Sequence, residues 1–179
     1  MYNDNFCFKY LGTFNTENIQ NKLKTLTNDD WEEYSYRQIT FDVHRKTLTL
    51  PLLFNENFDL EPLQFKYYNT FKSDLDELEM LFKELYGSGK FVRCILVNLL
   101  AGAQIPIHVD GGESLEISHR HHIPIITNDA VFFQIGDEIN NLKTNTLWEI
   151  NNQKPHGVWN DSTQDRIHMI VDWIEEKDY

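Results

Sequence analysis

The chain has 179 residues, of which 41% are hydrophobic, 25% charged and 13% aromatic, and its formal net charge is −12. This length and composition predict one globular domain with a substantial core, and the acidic balance disfavours partners such as nucleic acid or anionic membranes. No apolar run approaches the length of a membrane span, and the first 14 residues lack the basic and apolar regions of a secretory signal, so we expect a cytoplasmic protein.

The first third of the chain mixes strand and helix signals. Residues 8–14 are predicted to form a short strand, and residues 17–26 a helix with Thr16 at its N-cap. Residues 34–54 are rich in β-branched and aromatic side chains, which favours strands.

The clearest helix signal lies at residues 74–86. Leucine and phenylalanine recur there at helical spacing and form one apolar stripe, which we expect to belong to the core. Ser73 is placed to cap the start of this helix, and Gly87 is placed to end it.

The second half of the chain is dominated by short apolar runs separated by turn residues. Seven such runs are the size of strands, and they predict a β-sandwich or barrel: residues 91–100, 104–110, 121–127, 130–136, 145–151, 156–160 and 166–174. We therefore expect a β-rich α+β fold with flanking N-terminal helices in a single domain, residues 1–179. Its N-terminal α/β part, 1–90, would pack on a barrel core, 91–175.

Histidine is concentrated in this second half, and four of the seven histidines lie within residues 108–122. His108 and Asp110 are two residues apart, so on a strand their side chains point to the same side. His156 follows a proline and precedes a glycine, as expected at the edge of a site. Two imidazoles and one carboxylate form the facial triad of non-haem Fe(II) oxygenases, which leaves coordination positions open for catalysis, whereas a structural zinc site uses four protein ligands.

Residues 166–173 are predicted to form a strand with one wholly apolar face. Arg166, His168 and Asp172 lie on the other face. A hairpin through the turn-rich residues 160–165 would place Arg166 beside the strand of His156, where a guanidinium can bind a carboxylate through two parallel hydrogen bonds. An arginine on an exposed strand face is the alternative interpretation.

Three motifs together carry a more specific signal. They are HVDG at residues 108–111, RHHIPIITN at 120–128, and LWEINNQKPHGVWNDSTQDRIHMIVDW at 147–173. This set resembles the aspartyl/asparaginyl β-hydroxylase family of Fe(II)/2-oxoglutarate-dependent oxygenases over residues 92–174, and residues 31–52 are similar to the less uniform N-terminal part of that family.

The resemblance implies a double-stranded β-helix, a jelly roll of two sheets with iron at one mouth. It implies that His108, Asp110 and His156 bind Fe(II). It also implies that Arg166 binds the distal carboxylate of the co-substrate 2-oxoglutarate. The best-known animal members have glycine in place of the carboxylate ligand, so Asp110 aligns this chain with the members that have the full triad.

Further site residues follow from the same resemblance and from strand alternation. Arg120 and His122 are expected near the metal-binding end of 2-oxoglutarate or near the substrate, and His119 and His121 should point the other way. Asn98 is a candidate contact of 2-oxoglutarate, on the same strand face as its apolar neighbours at 96 and 100.

Four other polar residues keep two interpretations each. His168 either orients a ligand or the co-substrate, or is an interior histidine bonded to the backbone. Arg37, His44 and Arg45 either form a basic patch that holds a substrate carboxylate or belong to a solvated strand face.

The resulting hypothesis is a hydroxylase that uses Fe(II), 2-oxoglutarate and O2, releases succinate and CO2, and acts on an amino-acid side chain. The substrate would be an aspartyl or asparaginyl residue of a peptide or protein, or a free amino acid such as proline. One alternative is a cupin-type metal-binding barrel that does not use 2-oxoglutarate. The other is a non-catalytic barrel that binds a carboxylate or a partner protein. The oligomeric state is left open.

Overall fold

The computed structural model describes residues 5–178, which contain five α-helices and eleven strands. The helices are α1 (Glu17–Leu23), α2 (Asn28–Glu32), α3 (Tyr36–Thr40), α4 (Tyr68–Tyr86) and α5 (Glu113–Ile117). The strands are β1 (Phe8–Thr13), β2 (Thr47–Phe54), β3 (Leu63–Gln64), β4 (Gly89–Leu99), β5 (Gln104–His108), β6 (His119–Ile126), β7 (Val131–Ile135), β8 (Glu138–Asn140), β9 (Thr146–Ile150), β10 (His156–Asn160) and β11 (Arg166–Glu175). None of these helices has both the length and the apolar character that crossing a membrane requires.

The strands form two antiparallel sheets. The major sheet has the order β1-β9-β6-β11-β4-β2-β3, and the minor sheet the order β5-β10-β7-β8. Apolar residues of both sheets, such as Leu99 and Ile150 of the major and Phe133 and Val158 of the minor sheet, pack together in one cluster. The space between the sheets is therefore the interior of the fold, and the β-rich α+β architecture agrees with the prediction.

Helices cover the other face of the major sheet. Ile19 of α1 and the α4 stripe, including Leu78 and Phe82, pack against Met169 and Val171 of β11. Both faces of the central strands are consequently buried, which explains why β4 and β11 read as nearly continuous apolar runs.

Helix α4 is longer than the sequence predicted. It begins at Tyr68 rather than Asp74, and Ser73 lies inside it, so the predicted cap at Ser73 is wrong. Phe71 is fully buried against the sheet, which extends the apolar stripe by more than a turn toward the N-terminus. The predicted end is correct, because Gly87 follows with φ of 87°, a conformation that glycine adopts without steric cost.

The segment predicted as strand-like at 34–54 is only partly so. It contains α3 and a 3-10 helix, Asp42–His44, before β2 begins at Thr47. Tyr36 of α3 packs edge-on against Phe41 and Phe54, so tertiary packing overrides the β-propensity of these aromatic residues. This detour brings α3 and the 3-10 helix to the open end of the two sheets, where the candidate site lies.

All seven strand-sized runs of the second half form strands, as predicted. Strand β8 and helix α5 were not predicted, and α1 ends at Leu23 instead of residue 26. Thr16 occupies the N-cap of α1 without capping it, because its hydroxyl donates to Asn145 Oδ1.

Candidate metal centre

Two histidines face each other across neighbouring strands of the minor sheet. His108 ends β5 and His156 begins β10, and the two are directly paired in the antiparallel register. Opposed residues of an antiparallel pair point to the same side of the sheet, and the two imidazole centroids are 4.4 Å apart. A register irregularity follows His156, beside Gly157, where an added Cβ would lie 3.0 Å from the Ile105 carbonyl.

Each of these imidazoles is oriented by a backbone carbonyl. The Nδ1 of His108 lies 2.8 Å from the Pro106 oxygen, and the Nδ1 of His156 lies 2.9 Å from the Lys154 oxygen. Because a carbonyl can only accept, each Nδ1 carries a proton, so in the neutral imidazole the lone pair is on Nε2. This is the arrangement in which a metal-binding histidine is fixed by a second hydrogen bond.

Asp110 completes the group. Its two carboxylate oxygens lie 3.6 Å from the Nε2 atoms of His108 and His156, and the three candidate ligand atoms are within 4.8 Å of one another. Burial raises the pKa of Asp110, but Arg120 and the two histidines more than offset that effect, so the pKa lies well below its usual value and the carboxylate is charged. Within residues 5–178, no fourth histidine, cysteine or acidic residue joins the group, which fits an open catalytic site better than a closed structural one.

A buried ion-pair network supports Asp110 from the major sheet. Arg120 contacts the Asp110 carboxylate and also binds Asp172 through two parallel hydrogen bonds of 2.8 and 2.7 Å. Arg93 approaches the same Asp172 at 3.2 Å, and its guanidinium carbon lies 5.1 Å from the Phe54 ring centroid and 5.0 Å from that of Phe58. Arg120 therefore holds a candidate metal ligand, and it also lines both cavities of the site, so its expected place near the co-substrate or substrate stays a prediction.

Arg166 lies at the inner end of a chamber that opens from His108, Asp110 and His156. The chamber is also lined by four polar residues, Arg37, His44, Arg120 and His122, and by four apolar residues, Ile105, Phe133, Val158 and Ile170. Arg166 is 1% exposed, burial lowers its pKa to about 9, and no carboxylate contacts it among the described residues. It does not lie on an exposed strand face, which was the alternative interpretation.

Two neutral imidazoles lie next to Arg166 in the chamber. Arg166 Nη2 donates to His168 Nδ1 at 2.5 Å, and His122 Nδ1 lies 3.3 Å from His168 Nδ1. Burial and the Arg166 charge hold the pKa of both histidines well below the usual value. Since His168 accepts at Nδ1, its proton is on Nε2, which is buried without a partner. Of the two interpretations of His168, contact with Arg166 is the one that agrees with the structure.

A second cavity lies on the outer side of the same three residues. Its volume is about 340 Å3, and its walls are formed by Arg37, Phe41, Val43, His44, Phe58, Arg93, His108, Val109, Asp110, Gly111, Leu115 and Arg120. Arg37 and His44 thus reach the site, through α3 and the 3-10 helix. Arg45 does not, because its side chain is 68% exposed and pairs with Asp42.

Asn98 lies away from both cavities. It is paired with Ile167 on the face of the major sheet that packs against the helices, and its amide donates to Asp165. The predicted contact between Asn98 and 2-oxoglutarate is therefore wrong, because Asn98 lies on the opposite face of the sheet from the chamber. The sequence correctly grouped Asn98 with Leu96, but this is the helix-facing side of β4.

His119 and His121 also point away from the site, as strand alternation predicted. His121 stacks on Phe82 of α4, with ring centroids 4.2 Å apart, and its Nε2 is 2.8 Å from the Tyr86 hydroxyl. His119 is bound to the buried Glu149. Both histidines therefore connect the major sheet to α4 and β9 rather than to a metal.

Asp172 and Arg93 are supporting residues that the sequence did not single out. Alternation placed Asp172 on the same face as Arg166, and a carboxylate on a buried face requires a cation. The sequence could therefore predict that Asp172 has a cationic partner. It could not predict which cations these are, because Arg93 and Arg120 come from two other strands.

Comparison with solved structures places the fold in a known class. The structure is similar to an oxidoreductase of the 2OG-Fe(II) oxygenase family from Burkholderia pseudomallei, with 12% identity, a TM-score of 0.59, and coverage of 72% of this chain and 67% of the other. It is also similar to a prolyl-4-hydroxylase from Pseudomonas putida, with 10% identity, a TM-score of 0.54, and coverage of 96% of this chain and 94% of the other. A third similar structure is the viral collagen prolyl hydroxylase of Paramecium bursaria chlorella virus-1, with 9% identity, a TM-score of 0.56, and coverage of 98% of this chain and 99% of the other. The fold is therefore that of the Fe(II)/2-oxoglutarate oxygenases, a double-stranded β-helix.

The sequence gives the narrower assignment. The family model of the aspartyl/asparaginyl β-hydroxylases matches residues 66–176, which is more than half of the chain. The protein belongs to the aspartyl/asparaginyl β-hydroxylase family, as the three motifs predicted. No curated protein matches the chain.

Proposed function

We propose that the protein is an Fe(II)- and 2-oxoglutarate-dependent oxygenase that hydroxylates an amino-acid side chain. The observation that carries the proposal is the convergence of His108, Asp110 and His156 in a chamber that also contains Arg166, a buried guanidinium that no carboxylate of residues 5–178 contacts. A carboxylated co-substrate that also binds the metal would use both sets of residues.

In this proposal His108, Asp110 and His156 hold Fe(II), which when bound supplies the oxygen chemistry that protein side chains lack. The protein fixes the ligands in advance. The Pro106 and Lys154 carbonyls fix the tautomer in which the lone pair of each neutral imidazole lies on Nε2, and Arg120 keeps the Asp110 carboxylate charged and in place. Preset ligands lower the reorganisation that metal binding needs.

Arg166 would bind the distal carboxylate of 2-oxoglutarate through paired hydrogen bonds. The neighbouring His122 and His168 are neutral, so neither adds a second positive charge beside Arg166. His168 accepts a hydrogen bond from the guanidinium and so fixes its orientation. Four apolar side chains line the chamber, and apolar walls strengthen the electrostatic contacts beside them because they lower the local dielectric constant.

The test is release of succinate from 2-oxoglutarate by the purified protein with Fe(II) and O2, with and without amino-acid and peptide candidates. We expect succinate from the wild type and none above background from His108→Ala. Arg45→Gln, a change at an exposed arginine, should retain the wild-type rate. No succinate under any of these conditions would contradict the proposal.

A further inference from the structure

Arg37 is a buried arginine with only neutral partners. Its side chain is 8% exposed, and it donates to Thr49 Oγ1 at 3.3 Å and to His44 Nε2 at 2.8 Å. No carboxylate contacts it among residues 5–178. A guanidinium has five N–H donors, so three are left, and burial of such a charge without an anion is costly.

The position of Arg37 relates it directly to the candidate metal. It lines the outer cavity of about 340 Å3 together with His108 and Asp110, at the point where this cavity adjoins the chamber of Arg166, which Arg37 also lines. His44, which accepts from Arg37, also packs edge-on against the His108 ring, with centroids 5.7 Å apart. A single imidazole therefore separates the Arg37 guanidinium from a metal ligand.

The other two arginines of this cavity already have anionic partners. Arg93 pairs with Asp172, and Arg120 pairs with both Asp172 and Asp110. Three guanidinium groups thus share two carboxylates, and the charge that is not matched is that of Arg37.

We propose that the outer cavity is the substrate site and that Arg37 binds a carboxylate of the substrate. The inference rests on the proposed function, and it narrows the substrate class to organic acids with a carboxylate close to the carbon that reacts. A neutral asparaginyl side chain would lack the group that Arg37 binds, whereas an aspartyl side chain or the free carboxylate of an amino acid would supply it.

The chemistry of the cavity favours one carboxylate over a larger or more highly charged anion. A single guanidinium with free donors matches the geometry and charge of one carboxylate, and the net charge of −12 repels polyanions. The remaining walls include Phe41, Val43 and Phe58, which suit an apolar body. Because only the His44 imidazole lies between Arg37 and His108, a carboxylate bound to Arg37 would keep the substrate beside the candidate metal ligands.

Binding of matched acids and amides tests the proposal without turnover. The protein is loaded anaerobically with Fe(II) and saturating 2-oxoglutarate and titrated calorimetrically with two pairs: N-acetyl-proline and its primary amide, and the N-acetyl, N-methylamide derivatives of aspartate and asparagine. We expect at least one acid to bind about tenfold or more tightly than its amide, as for a hydrogen-bonded charge pair. Arg37→Gln should abolish that preference, and Arg37→Lys should retain part of it.

Arg45→Gln is the matched control, since it removes an exposed arginine eight residues away and should leave the preference unchanged. Equal binding of acid and amide by the wild type, or binding of neither, would overturn the proposal, as would an undiminished preference in Arg37→Gln. The wild-type comparison decides the matter even if Arg37→Gln does not fold. Failure of the oxygenase proposal would look different from failure of this inference. The wild type would then show no visible band with Fe(II) and 2-oxoglutarate but would still bind the acid more tightly than the amide.

Discussion

Arg120 contacts the carboxylate of Asp110 from the major sheet, so a strand of one sheet positions a candidate metal ligand that lies just beyond the end of β5 in the other. The contact is anchored, because the same guanidinium binds Asp172 through two parallel hydrogen bonds. The candidate metal centre is therefore supported by the major sheet as well as by the minor-sheet strands that carry its histidines.

The first prediction concerns this anchor. Arg120→Lys keeps the charge but loses the planar fork, so we expect the affinity for Fe(II) to fall by about 10- to 100-fold, as for other residues that orient metal ligands. Anaerobic metal titration measures the effect. Arg93→Lys is the control, because Arg93 contacts Asp172 but not Asp110. Unchanged Fe(II) affinity in Arg120→Lys would contradict the role given to Arg120.

The second prediction concerns the co-substrate. Arg166→Gln should raise the Kd for 2-oxoglutarate by at least about tenfold through loss of a charge-assisted pair, with Fe(II) affinity retained. Arg166→Lys should recover part of the affinity. Because no carboxylate contacts Arg166 among the described residues, its removal should not destabilise the protein as loss of a salt bridge would. An unchanged Kd for 2-oxoglutarate would show that Arg166 is not its anchor.

The third prediction concerns pH and stability. Burial lowers the pKa of His121 to about 4, whereas an unfolded histidine titrates near 6.5. Between these values the unfolded chain binds a proton that folded His121 does not, so the free energy of unfolding decreases as the pH falls from about 6.5 to about 4, by up to about 3 kcal/mol from this residue. Urea unfolding at a series of pH values measures the slope.

His121→Gln should make that slope shallower without removing it, because burial also lowers the pKa of His122 and His168. The same slope in the variant and the wild type would mean that His121 is not the source of the dependence.

The fourth prediction concerns strand packing. A Cβ on Gly89 would lie 2.2 Å from the Ile174 carbonyl and 2.7 Å from the Trp173 ring. Gly89→Ala should therefore push β4 away from β11 and lower the free energy of unfolding by about 1–3 kcal/mol or more. Gly111→Ala is the comparison, since its Cβ would meet nothing within 4 Å, and it should not be destabilised. Equal stability of the two variants would contradict the packing described for Gly89.

Much of the candidate site was predictable because its signals are local. Strand alternation separated Arg120 and His122 from His119 and His121, and the i, i+2 spacing placed His108 and Asp110 together. The hairpin predicted between the strands of His156 and Arg166 does not form, because β10 and β11 belong to different sheets, but Arg166 lines the same chamber as His156.

The parts that sequence could not supply depend on long-range packing. Both faces of β4 are buried, so alternation could group Asn98 with Leu96 but could not say which face is the interior. Arg37 reaches the cavity on a helix that forms where aromatic residues favoured a strand. The Arg93–Asp172 pair joins residues on two strands that no local pattern connects.

In the proposed function His108, Asp110 and His156 hold Fe(II), and Arg166 holds 2-oxoglutarate beside it. The visible absorption spectrum of the protein, recorded as 2-oxoglutarate is added with Fe(II) in the absence of oxygen, tests both assignments at once. We expect a charge-transfer band in the wild type, no band in His108→Ala, and a band that needs more 2-oxoglutarate in Arg166→Gln. A wild type without the band, or an undiminished band in His108→Ala, would show that these residues do not hold the metal.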